Sequence, residues 1–262
     1  MNSKKVVLLI KAWLANYLEE SQQQGFVIGI SGGVDSAVTS TLCAMTQKPL
    51  VCVQLPIHQS QEELLRADEH IRFLKSNFPN VKSLTTDLTM LFDTFSKTMP
   101  SDTRKEVTDL ALANSRARLR MTSLYHIASL NQSLVVGTGN KIEDFGVGFF
   151  TKYGDGGVDI SPIADLLKSE VYQIGSYLKI PESILQAAPT DGLFGDSRVD
   201  EDQLGATYDE LEYAMIQHEN PEQITKFTKR QLEVLQIYKR LNFQNQHKMN
   251  SIPVCYIDRS RL

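Results

Sequence analysis

Cysteine is scarce in this sequence of 262 residues, which has Cys43, Cys52 and Cys255 and no Cys-x-x-Cys pair. An odd number of widely spaced cysteines does not suit a disulfide framework, and it also argues against a zinc site. We therefore expect reduced thiols, the usual state of cysteine in the cytoplasm.

Long apolar runs and an excess of positive charge are also missing. No apolar run approaches the roughly 20 residues that a membrane-spanning helix needs. Residues 1–24 mix lysines and glutamates with apolar residues, which predicts an amphipathic helix and not a signal peptide. The formal net charge of −4 argues against nucleic-acid binding, because phosphate contacts need clustered Lys and Arg. The sequence therefore predicts a cytoplasmic protein with no membrane or nucleic-acid partner.

Short apolar runs alternate with longer amphipathic stretches in the first half of the chain. The pattern predicts strands at 26–30, 50–55, 81–85 and 133–136 and helices at 37–46, 61–78 and 105–130. Strands that read as continuous apolar runs and alternate with helices indicate a parallel sheet with helices on both faces. The predicted fold class is therefore α/β, and such sheets bind ligands at the carboxyl ends of their strands.

The second half of the chain has a different pattern. Two segments rich in glycine or acidic residues lack any helical or strand period, as expected for the loops of a lidded nucleotide site. The predicted elements are loops at 137–160 and 189–203 and helices at 165–178 and 204–241. No repeat or linker marks a boundary, so we predict a single domain over 1–262. Its core sheet is expected at about 25–165 and its mostly helical part at about 166–262.

The segment Gly29-Ile30-Ser31-Gly32-Gly33-Val34-Asp35-Ser36 follows a predicted strand and precedes a predicted helix. Its adjacent glycines allow a tight turn and a close approach to a ligand, and the first N–H groups of a helix attract an anion. Asp35 would repel a bare phosphate, so its presence predicts a cation, and Mg²⁺ between carboxylate and phosphate meets that need. The alternative is a plain strand-to-helix turn with a serine N-cap. The spacing matches neither the Walker motif nor the dinucleotide-binding motif.

The pattern Ser-Gly-Gly-x-Asp-Ser at 31–36 resembles the signature of the PP-loop family of ATP pyrophosphatases. The resemblance implies an adenine nucleotide alpha hydrolase-like (Rossmann-like) fold. It also implies that ATP is cleaved between its α and β phosphates and that AMP is joined to the substrate, which the motif leaves open.

A second segment narrows the choice of substrate. Residues 148–157 read Gly-Phe-Phe-Thr-Lys-Tyr-Gly-Asp-Gly-Gly and closely resemble the hallmark of NAD synthetases. Further matches in the same order are Pro189-Thr190, the acidic segment 200–209 and His247-Lys248, so the resemblance covers nearly the whole chain. It implies ATP-dependent amidation of deamido-NAD to NAD through an NAD-adenylate, with ammonia as nitrogen donor and AMP and pyrophosphate as products. It also implies a homodimer.

The resemblance implies a role for each matching residue. ATP would be held by Gly29, Ser31, Gly32, Gly33, Val34, Asp35, Ser36, Thr138, Lys168 and Thr190. Deamido-NAD would be held by Arg118, Lys152, Asp159, His247 and Lys248. Asp35 and Glu143 would bind Mg²⁺, and these two residues with Lys168 would be catalytic.

Several of these assignments have a simpler structural alternative. Glu143 could cap a turn, Asp159 could begin one, and His247 with Lys248 could be solvated. Lys168 falls in the first turn of a predicted helix, where the helix dipole disfavours a cation, and this favours a functional role.

Arg118 can be judged from its position in the predicted helix at 105–130. It lies on the apolar stripe of that helix, whereas Arg116 and Arg120 lie on the opposite side. We therefore predict that Arg118 is on the packed face, where a guanidinium needs either a ligand anion or a structural ion pair.

The start of the chain bears on the nitrogen source. Only 25 residues precede the first predicted strand, too few for a glutaminase domain, and none of them is a cysteine nucleophile. We therefore expect free ammonia, or ammonia from a separate protein.

Two other functions compete with this interpretation. One is another PP-loop adenylating enzyme, such as a tRNA-modifying thiolase or a GMP synthetase-like amidotransferase, against which the 148–157 segment argues. The other is a non-catalytic ATP-binding sensor, which would not need the carboxylates Asp35 and Glu143 together with Lys152 and Lys168. Release of AMP and pyrophosphate from ATP separates the sensor from the enzymes.

Overall fold

Four short parallel strands form the centre of the molecule. A computed structural model describes residues 1–190, 199–220 and 226–261. The strands are β1 (Gly25–Gly29), β2 (Leu50–Gln54), β3 (Val81–Thr85) and β4 (Ser133–Val136). All neighbours are parallel, in the order β3-β2-β1-β4. The chain therefore builds outward from β1 in one direction and then returns to its other side, and α/β sheets bind ligands at such a point.

Helices surround the sheet and extend beyond it. They are α1 (Ser3–Glu20), α2 (Val34–Met45), α3 (Gln61–Asn77), α4 (Thr89–Thr98), α5 (Lys105–Asn131), α6 (Lys168–Tyr177), α7 (Glu182–Leu185), α8 (Asp200–Leu204), α9 (Tyr208–Glu219) and α10 (Lys229–Met249). A π-helical segment, Lys141–Val147, and a 3₁₀ turn, Arg259–Arg261, complete the elements. Among the described helices, none combines the length and apolar character needed to cross a membrane.

Both faces of the sheet are buried at β1, β2 and β4, which explains why these three strands read as nearly continuous apolar runs. Phe26 and Ile28 of β1 point into a core shared with α1, α2, α3 and α6. Val27, between them, points into the opposite core with Val135 of β4 and Ile127 of α5. Successive side chains of a strand face opposite sides, so a strand that is covered on both faces needs apolar residues at successive positions.

A third apolar cluster joins α9 and α10 to the π-helical segment. Leu211 of α9, Tyr238 of α10 and Ile142 are almost completely buried in it. The start of α9 is fixed by a reciprocal capping pair, in which Thr207 accepts from the Glu210 amide and Glu210 accepts from the Thr207 amide. This cluster places the C-terminal helices beside the loop that follows β4.

The predicted α/β class with helices on both faces of a parallel sheet is confirmed. The helix predicted at 165–178 is shorter and begins at Lys168. The segment 137–160, predicted as a loop, contains the π-helical turns, and α4 lies in a stretch for which no element was predicted. Of the loop predicted at 189–203, residues 191–198 lie outside the described residues, as do 221–225 of the part predicted helical.

Candidate active site

A cavity of about 300 Å³ opens at the carboxyl ends of the strands. The residues after β1 form one side of it, and the residues after β4 form the other. Gly29, Thr138 and Thr190, all predicted to contact ATP, line this cavity. The parallel sheet thus gathers segments that are far apart in the chain at one edge.

Hydrogen bonds between its two serines hold the loop after β1 in a tight turn. The Ser31 amide donates to Ser36 Oγ (3.3 Å), and the two hydroxyls are 3.1 Å apart. The Gly33 amide donates to Ser31 Oγ (3.2 Å), and Ser36 Oγ donates to the Gly33 carbonyl (2.9 Å). Helix α2 begins directly after this turn, at Val34, so its first N–H groups lie at the cavity. This arrangement suits a phosphate group.

Gly32 has to be glycine for two reasons. Its φ of +88° lies in the left-handed region that side chains disfavour. A Cβ at this position would also lie 2.7 Å from the carbonyl oxygen of Glu63 in α3. Helix α3 therefore packs directly against the loop and forms a wall of the cavity.

Three charged side chains meet where the two sides of the cavity join. Lys168, at the start of α6, donates to Asp35 Oδ2 (2.6 Å) and to Glu143 Oε1 (2.9 Å). Its side chain is 4% exposed, and each carboxylate side chain is 17% exposed. The structure therefore brings together the three residues predicted to be catalytic.

Two further side chains hold this charged group in place. Asn140 is fully buried and donates to Asp35 Oδ1 (3.1 Å), while its own oxygen accepts from the Glu143 amide (3.1 Å). The Tyr208 hydroxyl donates to Glu143 Oε1 (2.6 Å), and Lys168 Nζ lies 4.8 Å from the centre of the Tyr208 ring. Charge-assisted hydrogen bonds of this kind are stronger than neutral ones and fix the positions of both carboxylates.

The charged group has perturbed pKa values. Burial raises the pKa of Asp35, and the neighbouring Glu143 adds to the rise, against the pull of Lys168. Burial opposes ionisation of Glu143 as well, but Lys168 and the Tyr208 hydroxyl outweigh it and lower the pKa of Glu143. Burial also opposes the charge of Lys168, but the two carboxylates raise the pKa of Lys168 above its ordinary value. At neutral pH the site therefore holds an ammonium between oxygen ligands, and perturbed groups of this kind often mark functional sites.

The fit of Mg²⁺ can be judged from the donor set. Asp35 and Glu143 supply carboxylate oxygens, the ligands that Mg²⁺ prefers. Within the part of the chain that the structure describes, no cluster of three or more His, Cys, Asp or Glu side chains is arranged to hold a metal. Mg²⁺ commonly binds through one or two carboxylates together with substrate phosphates, so this pair suits an ion that arrives with ATP.

The residues predicted to bind deamido-NAD lie beside the cavity, at the 148–157 segment. Arg118 Nε donates to the Lys152 carbonyl (3.4 Å), and Lys152 Nζ donates to the His247 carbonyl. Lys248 Nζ donates to the carbonyls of Gly148 (2.8 Å) and Phe150 (2.9 Å). The structure thus brings Arg118, Lys152, His247 and Lys248 together around one loop.

Asp159 is held separately from these four residues. Its carboxylate accepts from the Tyr125 hydroxyl (2.9 Å) and from the Val135 amide (2.8 Å). The hydroxyl donor and the backbone donor fix this carboxylate beside β4.

The predicted orientation of the arginines in α5 is wrong. Arg118 is exposed, whereas Arg116 is 8% exposed, with its guanidinium 4.8 Å from the centre of the Phe92 ring. Arg120 lines the cavity and donates to the Leu55 carbonyl (3.0 Å) and to Gln59 Oε1 (2.7 Å). The Phe92 ring lies against the guanidinium of Arg116, and two oxygen acceptors bind Arg120, so two arginines lie on the packed side of α5.

Sequence reasoning missed Asn140, Tyr208 and Arg120. Asn140 stands three positions before Glu143, and Tyr208 lies in the acidic segment already matched, so both were within motifs. Their hydrogen bonds join distant parts of the chain, and no local sequence pattern predicts such contacts.

Comparison with known proteins gives one consistent result. Residues 6–252 match the family described as NAD synthase. The chain is 37% identical over 231 residues to the NH(3)-dependent NAD(+) synthetase of Carboxydothermus hydrogenoformans, covering 87% of this chain and 92% of that protein. It is 34% identical over 259 residues to the enzyme of the same name from Syntrophomonas wolfei, covering 98% of each.

Solved structures agree with the sequence relatives. An NMN synthetase from Francisella tularensis superposes with a TM-score of 0.84 at 29% identity, covering 98% of this chain and all of the other. An NH3-dependent NAD synthetase from Campylobacter jejuni superposes with a TM-score of 0.80 at 26% identity, with the same coverage.

Proposed function

This chain belongs to the NAD synthase family, and we propose that its cavity carries out the ATP-dependent amidation of deamido-NAD with ammonia. The observation that carries the proposal is the buried contact of Lys168 with Asp35 and Glu143 beside a phosphate-binding loop. This combination suits an adenylating enzyme, because negative charge on the phosphates must be offset while a carboxylate approaches them.

The reaction has two steps. The nicotinate carboxylate oxygen attacks the α-phosphorus of ATP, and the bond from that phosphorus to pyrophosphate breaks. Ammonia then attacks the carboxyl carbon, the bond to AMP breaks, and the nitrogen loses a proton to leave the amide. Adenylation is needed because a free carboxylate is already an anion and is a poor electrophile.

Different residues of the cavity would assist different parts of this reaction. The turn of Ser31 and Ser36 and the N–H groups at the start of α2 bind phosphate oxygens. Lys168 carries a positive charge toward the same place and offsets charge that develops as pyrophosphate leaves. Asp35 and Glu143 keep Lys168 protonated and positioned.

Asp35 and Glu143 are also the proposed ligands of Mg²⁺. When bound with ATP, the ion would polarise the phosphates and help to neutralise their charge. The donor set supports this proposal, since two carboxylates face the phosphate loop and share a single lysine.

Arg118, Lys152, Asp159, His247 and Lys248 are proposed to bind deamido-NAD. Four of them, all except Asp159, lie around one loop and offer three cations to a substrate that carries two phosphates and a carboxylate, which supports this proposal. The position of this loop beside the cavity would allow the nicotinate end to reach the α-phosphate.

The exposed stripe of α5 supports a homodimer. Val107 and Leu110 are 42% and 55% exposed, and they lie on the same face of α5 as Arg118, at helical spacing. A second copy that covered this stripe would bury the two side chains beside the proposed deamido-NAD residues. Sedimentation measurements test the dimer directly. The free cysteines Cys43 and Cys52, both buried, support a reducing location such as the cytoplasm.

A second candidate substrate is the mononucleotide. The superposition on an NMN synthetase, at a TM-score of 0.84, favours a test of nicotinate mononucleotide beside deamido-NAD. Both substrates carry the same nicotinate carboxylate, and the mononucleotide lacks the adenosine monophosphate half of deamido-NAD. The ratio of kcat/KM for the two substrates decides between them.

The deciding experiment follows NAD formation from deamido-NAD, ATP, Mg²⁺ and ammonium, with pyrophosphate measured in parallel. NAD with ammonium but not with glutamine is the expected result. Pyrophosphate without NAD would point to another acceptor, and a folded protein that binds ATP without releasing pyrophosphate would point to a sensor.

The matched variants are Asp35→Asn and Asp209→Asn. Asp35→Asn is expected to lose most of its activity while the fold stays intact, because the lysine contact and the proposed metal ligand change without loss of volume. Asp209→Asn carries the same substitution at an exposed position of α9 and should retain activity. Near-normal turnover of Asp35→Asn would refute the metal-ligand role.

A further inference from the structure

Arg66 stands in the wall of the cavity, in the second turn of α3. Its Cβ lies 3.2 Å from the point that a Cβ on Gly32 would occupy, so the base of the side chain touches the phosphate loop. Ala67, the next residue, is buried against the same loop, so this turn of α3 does not move freely away from it.

The guanidinium of Arg66 has no partner among the described residues. Its Nε is buried and makes no hydrogen bond, and the side chain takes part in no ion pair or ring contact within those parts of the chain. Two of the three acidic residues about one helical turn away are held elsewhere. Glu63 accepts from Ser60 in a capping pair, and Glu69 accepts from the Ser183 hydroxyl.

A buried N–H without an acceptor is costly, and a guanidinium is the side chain best suited to a bidentate contact with phosphate. We propose that Arg66 binds the β- and γ-phosphates of ATP and holds the pyrophosphate after cleavage. This inference rests on the proposed function and adds a substrate-binding residue on the α3 wall of the cavity. Arg66 would contribute a cation from α3, and Lys168 contributes one from α6.

The test compares Arg66→Gln and Arg66→Lys with Arg72→Gln. Arg72 lies on the same helix and is exposed, so its replacement controls for loss of a charge from α3. For Arg66→Gln we expect the KM for ATP and the inhibition constant of pyrophosphate to rise about 10- to 100-fold, as for a lost charge-assisted hydrogen bond. Arg66→Lys should fall between this variant and the wild type, and the KM for deamido-NAD should stay within about two-fold.

Two results would overturn the inference. One is a KM for ATP and a pyrophosphate constant in Arg66→Gln that match those of Arg72→Gln. The other is a loss of kcat and thermal stability with both constants unchanged, which is the signature of a structural role. If Arg66→Gln does not fold, Arg66→Lys carries the same comparison, because it keeps the charge and loses only the bidentate geometry.

Calorimetric titration with Mg²⁺ and pyrophosphate, without deamido-NAD, separates this inference from the proposed function. Weaker pyrophosphate binding by Arg66→Gln supports the role of Arg66 even if the wild type forms no NAD. Equal pyrophosphate binding by the variant and an NAD-forming wild type rejects the role of Arg66 and leaves the proposed function standing.

Discussion

At the scale of single residues, the active site depends on a balance of one cation against two carboxylates. Lys168 is buried and offsets part of the charge of both Asp35 and Glu143. Breaking a buried charge pair leaves uncompensated charge, which costs far more than loss of a surface pair. Stability and catalysis therefore depend on the same three side chains.

Lys168→Gln should make stability depend on pH in a new way. Without the ammonium, burial and mutual repulsion raise the pKa of both carboxylates above their values in the unfolded chain. The folded variant then binds protons more tightly than the unfolded one, so its stability relative to wild type increases as the pH falls from about 7 to about 5. Urea unfolding should show a deficit of about 3 kcal/mol near pH 7 that shrinks near pH 5.

Lys141→Gln is the control for this experiment. Lys141 pairs with Asp165 at 3.1 Å, but the Asp165 side chain is 96% exposed, so the loss should stay below about 1 kcal/mol at either pH. A Lys168→Gln deficit that does not change with pH would contradict the charge balance.

Tyr208→Phe tests whether the hydroxyl positions Glu143. The variant keeps the ring beneath Lys168 and removes the hydrogen bond to Glu143. We expect kcat to fall about 10-fold and the Mg²⁺ dependence to shift, because a charge-assisted hydrogen bond is lost. Tyr238→Phe is the matched control, since Tyr238 is buried in the same apolar cluster but lies away from the carboxylates. Equal behaviour of the two variants would argue against positioning by Tyr208.

At the scale of elements, the support of the phosphate loop comes from the contact between α2 and α3. His70 of α3 is fully buried, and its Nε2 lies 2.8 Å from the Ser40 hydroxyl of α2. Burial lowers the pKa of His70 to about 4. The imidazole is therefore neutral in the folded protein at neutral pH and holds together the two helices that flank the loop.

His70 should make the protein sensitive to acid. The pKa of His70 is about 4 in the folded protein, against 6.5 for an unperturbed histidine. The unfolded chain therefore takes up a proton at a higher pH than the folded protein does. The contribution of neutral His70 to the free energy of unfolding is complete above about pH 6.5. This contribution, roughly 3 kcal/mol, is lost as the pH falls toward 4. Urea unfolding of His70→Gln should show a flatter pH dependence in this range. His58→Gln, the same change at an exposed histidine, should keep the wild-type slope.

The elements differ in how well the sequence predicts them. All four strands were predicted close to their observed positions. Strands β1, β2 and β4 are apolar at successive positions, whereas β3 is Val-Lys-Ser-Leu-Thr and only its Val81 is buried. Helix α4 was not predicted, although its ten residues include Met90, Leu91, Phe92 and Phe95, of which only Phe92 is buried. The π-helical segment has a spacing that neither the helical nor the strand period captures.

Some features of the candidate site were also predictable from the sequence, and others were not. The residue types that meet in it, Asp35, Glu143 and Lys168, lie in motifs whose chemistry is readable from the sequence. The orientation of α5 could not be predicted, because the contacts of Arg116 with the Phe92 ring and of Arg120 with Leu55 and Gln59 come from distant parts of the chain. Prediction from periodicity assumes that the packed face of a helix is its apolar face. In α5 this assumption fails, because contacts with other elements allow arginines on the packed face.

At the scale of the whole molecule, we propose that the chain unfolds as a single domain. The C-terminal cluster of α9 and α10 is joined to the sheet region through the π-helical segment and through the contact of Tyr208 with Glu143. A shared buried charge group couples the two parts, because neither part satisfies it alone.

Leu211→Ala tests this coupling at a distance. Leu211 is fully buried in the C-terminal cluster, so the variant should lose about 2–5 kcal/mol. Trp13, the single tryptophan, lies in α1 at the other end of the chain and reports by fluorescence. If the chain is one cooperative unit, the Trp13 transition moves with the circular dichroism transition. An unchanged Trp13 transition would instead reveal two independent units.

The strand order has a consequence for folding of the chain during translation. Strand β1 pairs with β2 as soon as both have left the ribosome, but its other edge stays open until Ser133 has been translated and β4 can dock. An open edge offers unpaired backbone groups to other chains. We therefore expect the nascent chain to depend on chaperones while this edge of β1 is open, and to depend on them less once β4 has paired with it.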